Sequence, residues 1–247
     1  MLFRSLLGAG VDINAVDKNG KTVLFYAMLE GYENISMIDF LIKNGADLNK
    51  LDSEENSIID DLIEIILVQR QDKKPENKLF LRIDESKDFI SLLKRLLLLN
   101  PKMNRQKQNG QTSLFKAILF DDLELIEVLL NNGADANLRD LEGNTPLSLL
   151  VDHGLRIKKL SLKEVFIKKL QFLIKYRVDV NAKDKEGRTV LHKAVIADDI
   201  EVVEKLLQKK PNMNERDKQG RTPLHHTQWK GNRSEEHTSE LQSRQSI

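Results

Sequence analysis

Apolar residues along this chain come in short helical bursts, each preceded and followed by a polar turn. Leu-Leu pairs such as Leu129-Leu130 and Leu206-Leu207 recur at helical spacing, which predicts second helices that turn one face toward a stack. Ahead of the bursts stands a recurring phrase, Asp-x-x-Gly-x-Thr-x-Leu. Asp184-Lys-Glu-Gly-Arg-Thr-Val-Leu-His192 begins one copy, and Asp217-Lys-Gln-Gly-Arg-Thr-Pro-Leu-His225 begins the next, 33 residues further on. Lys107 to Asp140 is again 33. After two helix-like segments the phrase closes on Gly-Ala-Asp-x-Asn. A fixed period of this size predicts stacked supersecondary units rather than one globular core.

Each recurring position has a physical reason. Glycine in the turn allows the positive φ that a tight turn needs. Threonine is placed to cap the first helix with its hydroxyl, and the next position accepts a proline such as Pro146 or Pro223 because N1 needs no donor. Small Ala27, Ala117 and Ala194 let neighbouring helices approach. Gly10, Gly45 and Gly133 suit a left-handed C-cap. Asn100, Arg177 and Lys210 replace that glycine, so the caps at Arg177 and Lys210 are expected to be strained or reshaped.

With these motifs at a 33-residue period, residues 2–232 resemble the ankyrin-repeat family. The resemblance implies an all-α solenoid of stacked helix pairs with short β-hairpin-like connections. In that phase a half repeat covers 1–16, and repeats cover 17–51, 52–106, 107–139, 140–183, 184–216 and 217–232, the last truncated. Repeat 52–106 is the most degenerate and about 22 residues too long; repeat 140–183 is about 11 too long. Both insertions (near 70–88 and 154–164) are expected between the two helices of their unit, with a long first helix near Ile58–Gln69 and a second helix ending at Leu99. Residues 233–247 resemble the translation of a short-read sequencing adapter and are expected to be a non-native tail. Met1 is expected to lie inside a repeat whose first helix is missing, as in a fragment of a longer protein.

Composition narrows the chemistry. The 247 residues carry 39 basic and 38 acidic side chains, so no global field favours nucleic acid or an anionic membrane. Without cysteine there is no disulfide framework, thiolate metal site or cysteine nucleophile, which fits an intracellular, cytoplasmic setting or delivery into a host cell. No apolar run approaches the length of a membrane span. No phosphate loop, nucleophile elbow or His-Glu-x-x-His motif occurs. His192 and His225 stand where the family uses imidazole to brace adjacent turns. Asp60-Asp61 and Asp121-Asp122 diverge on a helix and read as solvated surface. No cofactor, metal or catalytic residue is expected.

Between Arg156 and Arg177 eight basic residues meet one acid, Glu164. This stretch reads as an amphipathic second helix with a solvated basic face over a buried stripe of Val165, Phe166, Leu170, Phe172, Leu173 and Ile174; the sharper alternative is a docking patch for an acidic partner, phosphoinositide head groups (a weak anionic-surface contact) or nucleic acid, the last not favoured because no other unit repeats the patch. The resemblance also implies a binding face made by the turn tips and the exposed end of each first helix. In this chain those helix ends are Leu29-Glu30, Leu119-Phe120, Asp152-His153, Ile196-Ala197 and Trp229-Lys230, four of which start with a large apolar residue. The tips include Leu141, Lys185, Arg188, Lys218 and Arg221. The expected role is non-catalytic recognition of another protein by a monomeric array, the partner carrying an acidic rim and an apolar centre. Alternatives are a targeting arm of a larger enzyme or channel, or a structural spacer.

Overall fold

The computed structural model describes residues 9–70, 88–156 and 160–227, with the side chains of 160 and 161 left aside. Two compact units divide the chain: one is made of 1–107 and 120–134, the other of 108–119 and 135–247. In the first unit lie α1 (Val23–Met28), a 3-10 turn (Tyr32–Asn34), α2 (Ile35–Lys43), α3 (Ile58–Arg70), α4 (Phe89–Leu97) and α6 (Leu123–Asn131). In the second lie α5 (Ser113–Leu119), α7 (Pro146–Gly154), α8 (Leu160–Leu173), α9 (Val190–Ile196), α10 (Ile200–Leu207) and a final 3-10 turn (Pro223–His226). Among the described residues the only β pairing is a single antiparallel bridge, Val16 to Thr22. Helices pack pairwise along each unit: α1 on α2 and α3, and α3 on α4; then α5 on α7, α7 on α8 and α9, and α9 on α10. This is the all-α solenoid packing expected of the period.

The helices start where side-chain acceptors meet their free N–H groups. Thr22, Thr145 and Thr189 accept from Phe25, Ser148 and His192 at the heads of α1, α7 and α9. Asp88, Asp122 and Asp199 do the same at the heads of the second helices α4, α6 and α10. Each cap satisfies a donor that the helix itself leaves unpaired.

Two hydrogen-bond ladders tie successive turns together. In the first, the backbone N–H of Ser53 donates to the Asn19 carbonyl, Leu141 to Asn109, Lys185 to Glu142 and Lys218 to Glu186. Glycine is required here twice over. Gly110 has φ +77°, and a Cβ on it would lie 2.7 Å from the Leu141 nitrogen. In the second ladder, the asparagine of the closing phrase bridges to the next turn: Asn14 accepts from the Asp47 N–H, Asn49 from Lys102, Asn137 from Asp179 and Asn181 from Asn212. Asn14 and Asn137 also donate to the Gly45 and Arg177 carbonyls.

Several expectations need correcting. The long first helix runs to Arg70, and its partner α4 ends at Leu97, two residues early. The insertion near 154–164 is largely helical, because α8 already begins at Leu160; most of the 70–88 insertion lies outside the described residues. Gly154 is helical, and a Cβ there would run into the Phe166 ring. Along α8, Val165 is exposed and Phe172 only half-buried, whereas Lys169 is buried. Leu206 is buried, but its neighbour Leu207 is exposed. At the substituted caps, Lys210 takes the left-handed conformation (φ +50°), while Arg177 avoids it and the backbone turns more tightly through Val178.

Candidate functional site

The turn aspartates set the local geometry. Asp184 Oδ1 accepts from the N–H groups of Glu186 and Arg188, both at 2.9 Å, and Asp17, Asp52, Asp140 and Asp217 repeat that double acceptance. Oδ2 is thereby aimed at the first helices. In the second unit it meets Lys193, a buried lysine on α9. Lys193 Nζ lies 3.4 Å from Asp184 Oδ2, 2.7 Å from Asp152 Oδ2, 2.7 Å from Ser148 Oγ and 3.2 Å from Asn144 Oδ1. A buried ammonium is tolerated only when it is paired and hydrogen-bonded in this way.

Above Lys193 opens a groove of about 530 Å³. Its apolar wall is made by Leu155, Ile196 and Ala197; its polar wall by Glu142, Lys185, Glu186 and Arg188 of the stacked turns and by Arg156. Five of the residues singled out from sequence border it: Asp152, Lys185, Arg188, Ile196 and Ala197. Lys185 pairs with Glu142 Oε1 at 2.8 Å in an exposed bridge. The other residues singled out lie elsewhere. His153 is exposed on α7, and Leu141, Lys218 and Arg221 are exposed in the turns. Arg221 is held by Asp217 and Gln219. Leu119 is exposed at the end of α5; in the first unit Leu29 and Phe120 are half-buried and Glu30 exposed. Trp229 and Lys230 lie outside the described residues.

The histidines are absorbed by the scaffold. His192 Nδ1 accepts from the Thr189 N–H, so Nε2 carries the proton and donates to the Arg221 carbonyl at 3.1 Å. Burial depresses its pKa, which keeps it neutral. His225 Nδ1 likewise accepts from the Thr222 N–H, and His226 Nε2 lies 3.0 Å from Asp217 Oδ2. Among the described residues no group of three or more His, Asp or Glu is arranged to hold a metal, and no helix is long and apolar enough to cross a membrane.

The first unit contains a buried lysine of its own, which sequence reasoning missed. Lys21 Nζ sits 2.6 Å from Asp52 Oδ2 and 2.5 Å from Asp61 Oδ2, and 4.2 Å from the centre of the Phe25 ring. Asp61 is therefore not solvated surface, and neither is Asp122, which caps α6 and pairs with Arg70. The signal was available: Lys21 and Asp61 stand four and nine residues after the turn aspartates of their repeats, the same positions held by Arg188 and Lys193. The partnership itself crosses 40 residues, beyond the reach of local pattern.

The family model described as ankyrin repeats in three copies matches residues 83–163 and 161–236, and a second, described as ankyrin repeats in many copies, matches 1–42. Among similar proteins, the ankyrin repeat protein YahD of Escherichia coli is 32% identical over 168 residues, which cover 61% of this chain and 83% of YahD. An ankyrin repeat protein of Acanthamoeba polyphaga mimivirus is 26% identical over 80% of this chain and 31% of its own length. The palmitoyltransferase ZDHHC13 of Danio rerio is 26% identical over 83% of this chain. The chain spans only 27% of that protein.

Proposed function

Because this chain belongs to the ankyrin-repeat family, whose repeats are generally protein–protein interaction modules, we propose that it is a non-catalytic recognition scaffold that receives a partner protein in the groove between α7 and α9. The observation that supports this reading is the groove itself. Ile196, Ala197 and Leu155 line it together with charged turn residues, and apolar surface beside polar groups is the anatomy of a protein interface. The wall is preorganised by the turn ladder and by Lys193, so little entropy is lost when a partner docks.

Site-specific photo-crosslinking tests it. A benzophenone amino acid in place of Ala197 is expected to trap a partner in cells that make the protein, while the same probe at exposed Leu207 on α10 is not. Ile196→Asp should lower the yield at the 197 position at least tenfold with the thermal melt unchanged. Equal yields at 197 and 207, or no effect of Ile196→Asp, would remove the proposal. The chain's small share of the palmitoyltransferase favours a second reading, a targeting arm within a longer protein; the full-length open reading frame decides it.

A further inference from the structure

We infer that the groove of the second unit selects a partner segment in which acidic residues flank an apolar one, its carboxylates bound by Arg188 and Arg156 and its apolar side chain seated on Ile196 and Leu155. The inference rests on the recognition reading above and specifies its chemistry. The acceptors of the groove floor are already used: Asp184 takes two backbone N–H groups through Oδ1 and faces Lys193 through Oδ2, Asp152 accepts from Lys193, and Asn144 Oδ1 accepts from both Ser148 and Lys193. The donors are less fully used. Arg188 Nε forms an ion pair with Asp184 Oδ2 at 3.5 Å but is buried without a hydrogen-bond partner. Arg156 has no side-chain partner among the described residues, although it lines the groove.

A guanidinium offers five N–H donors in a planar fork that matches a carboxylate, and a buried donor left unpaired is costly. Incoming carboxylates, one at Arg188 and one at Arg156, would pair with these donors. The rim points the same way. The turn ladder sets the backbone of Lys185 beside Glu142 and that of Lys218 beside Glu186. Lys185 lines the groove, and Lys218, in the turn paired to Glu186, is unpaired among the described residues; such basic charges raise the encounter rate of an acidic partner. Glu186, exposed and without a side-chain partner among the described residues, is the unpaired acid of the wall. It repels an acid at its own end and so fixes the register of the segment.

A random peptide library displayed on phage and selected against the full chain tests this. The expected winners carry Asp or Glu on both sides of Leu, Ile or Phe. As soluble labelled peptides they should lose at least tenfold in affinity to Arg188→Glu and to Arg156→Glu, gain from Glu186→Gln, and be unaffected by Lys209→Glu outside the groove. The melting transition serves as the folding control. A charge-swapped peptide with lysine for each acid should bind Arg188→Glu better than the wild type. If the winners are neutral or basic yet depend on Ile196, the acidic assignment is overturned and the recognition groove stands. If no winner depends on Ile196, Arg156 or Arg188, both fail. Vesicles of phosphatidylserine and phosphatidylcholine form the last arm: binding to them that the two arginine variants abolish, with no peptide selected, would assign the donors to lipid head groups and overturn the proposal.

Discussion

Asp61 and Asp217 are both buried carboxylates, yet their environments drive their acidities apart. Burial pushes Asp61 up to about 6; Lys21, which it shares with Asp52, only partly opposes this, and the nearby charges of Asp52 and Asp60 add to the rise. Burial also acts to raise Asp217, but the N–H of Arg221, the ring of His226 and the Arg221 side chain outweigh it and bring the pKa to about 2. The difference lies in the number of donors each receives. Since Asp61 ionises in the unfolded chain near its ordinary value of 3.8 and in the folded protein only near 6, the folded state binds more protons in between. Stability should therefore fall as pH rises from about 4 through about 6. Asp61→Asn is expected to flatten that slope, read as the difference between variant and wild-type urea midpoints across a pH series; an unchanged slope would count against the assignment. At the same scale, Asn137→Ala removes two bonds that cross to the next turn. It should cost about 1–2 kcal/mol of unfolding free energy in the same measurement.

At the scale of the element, first helices and their threonine caps were legible in the sequence, because an N-cap is a local arrangement of a hydroxyl and an N–H three residues on. The boundary of α7 was not. Gly154 is the last residue of α7, and Phe166 of α8 lies where its side chain would be. Gly154→Ala is accordingly expected to destabilise by about 1–3 kcal/mol through overpacking, although alanine is the better helix former. Thermal denaturation checks the sign, and a stabilised variant would contradict the packing argument. Along α8 the same limit applies in reverse. Its many basic residues suggested a solvated face, but Lys169 is buried and Lys163 is tied to Asp199. Composition says how many charges a helix carries, and packing decides which of them reach water.

At the scale of the whole molecule, the helices of the second unit touch near neighbours in turn. Stability in such an array is approximately a sum of unit and interface contributions. Leu206 on α10 is fully buried, so Leu206→Ala should cost about 2–5 kcal/mol. Hydrogen exchange should then rise in α9, α10 and the Pro223–His226 turn, with α5 at the other end of that unit least affected. Uniform acceleration across the unit would indicate all-or-none opening instead.

The repeat phase, the turn glycines and the threonine caps followed from the sequence alone, because each depends on residues a few positions apart in a pattern that recurs; the general role of a binding array came only through the family resemblance that this pattern carries. The asparagine was visible in the closing phrase, but its role as a bridge between turns was not. Tertiary structure alone decided that Lys193 and Lys21 are buried and shared between two aspartates each, and that Asp152, Lys185, Arg188, Ile196 and Ala197 border one groove while His153 and Leu141 do not. Those outcomes depend on contacts between residues 30 to 50 positions apart, where side-chain direction and burial are set by the neighbouring turn rather than by the local pattern.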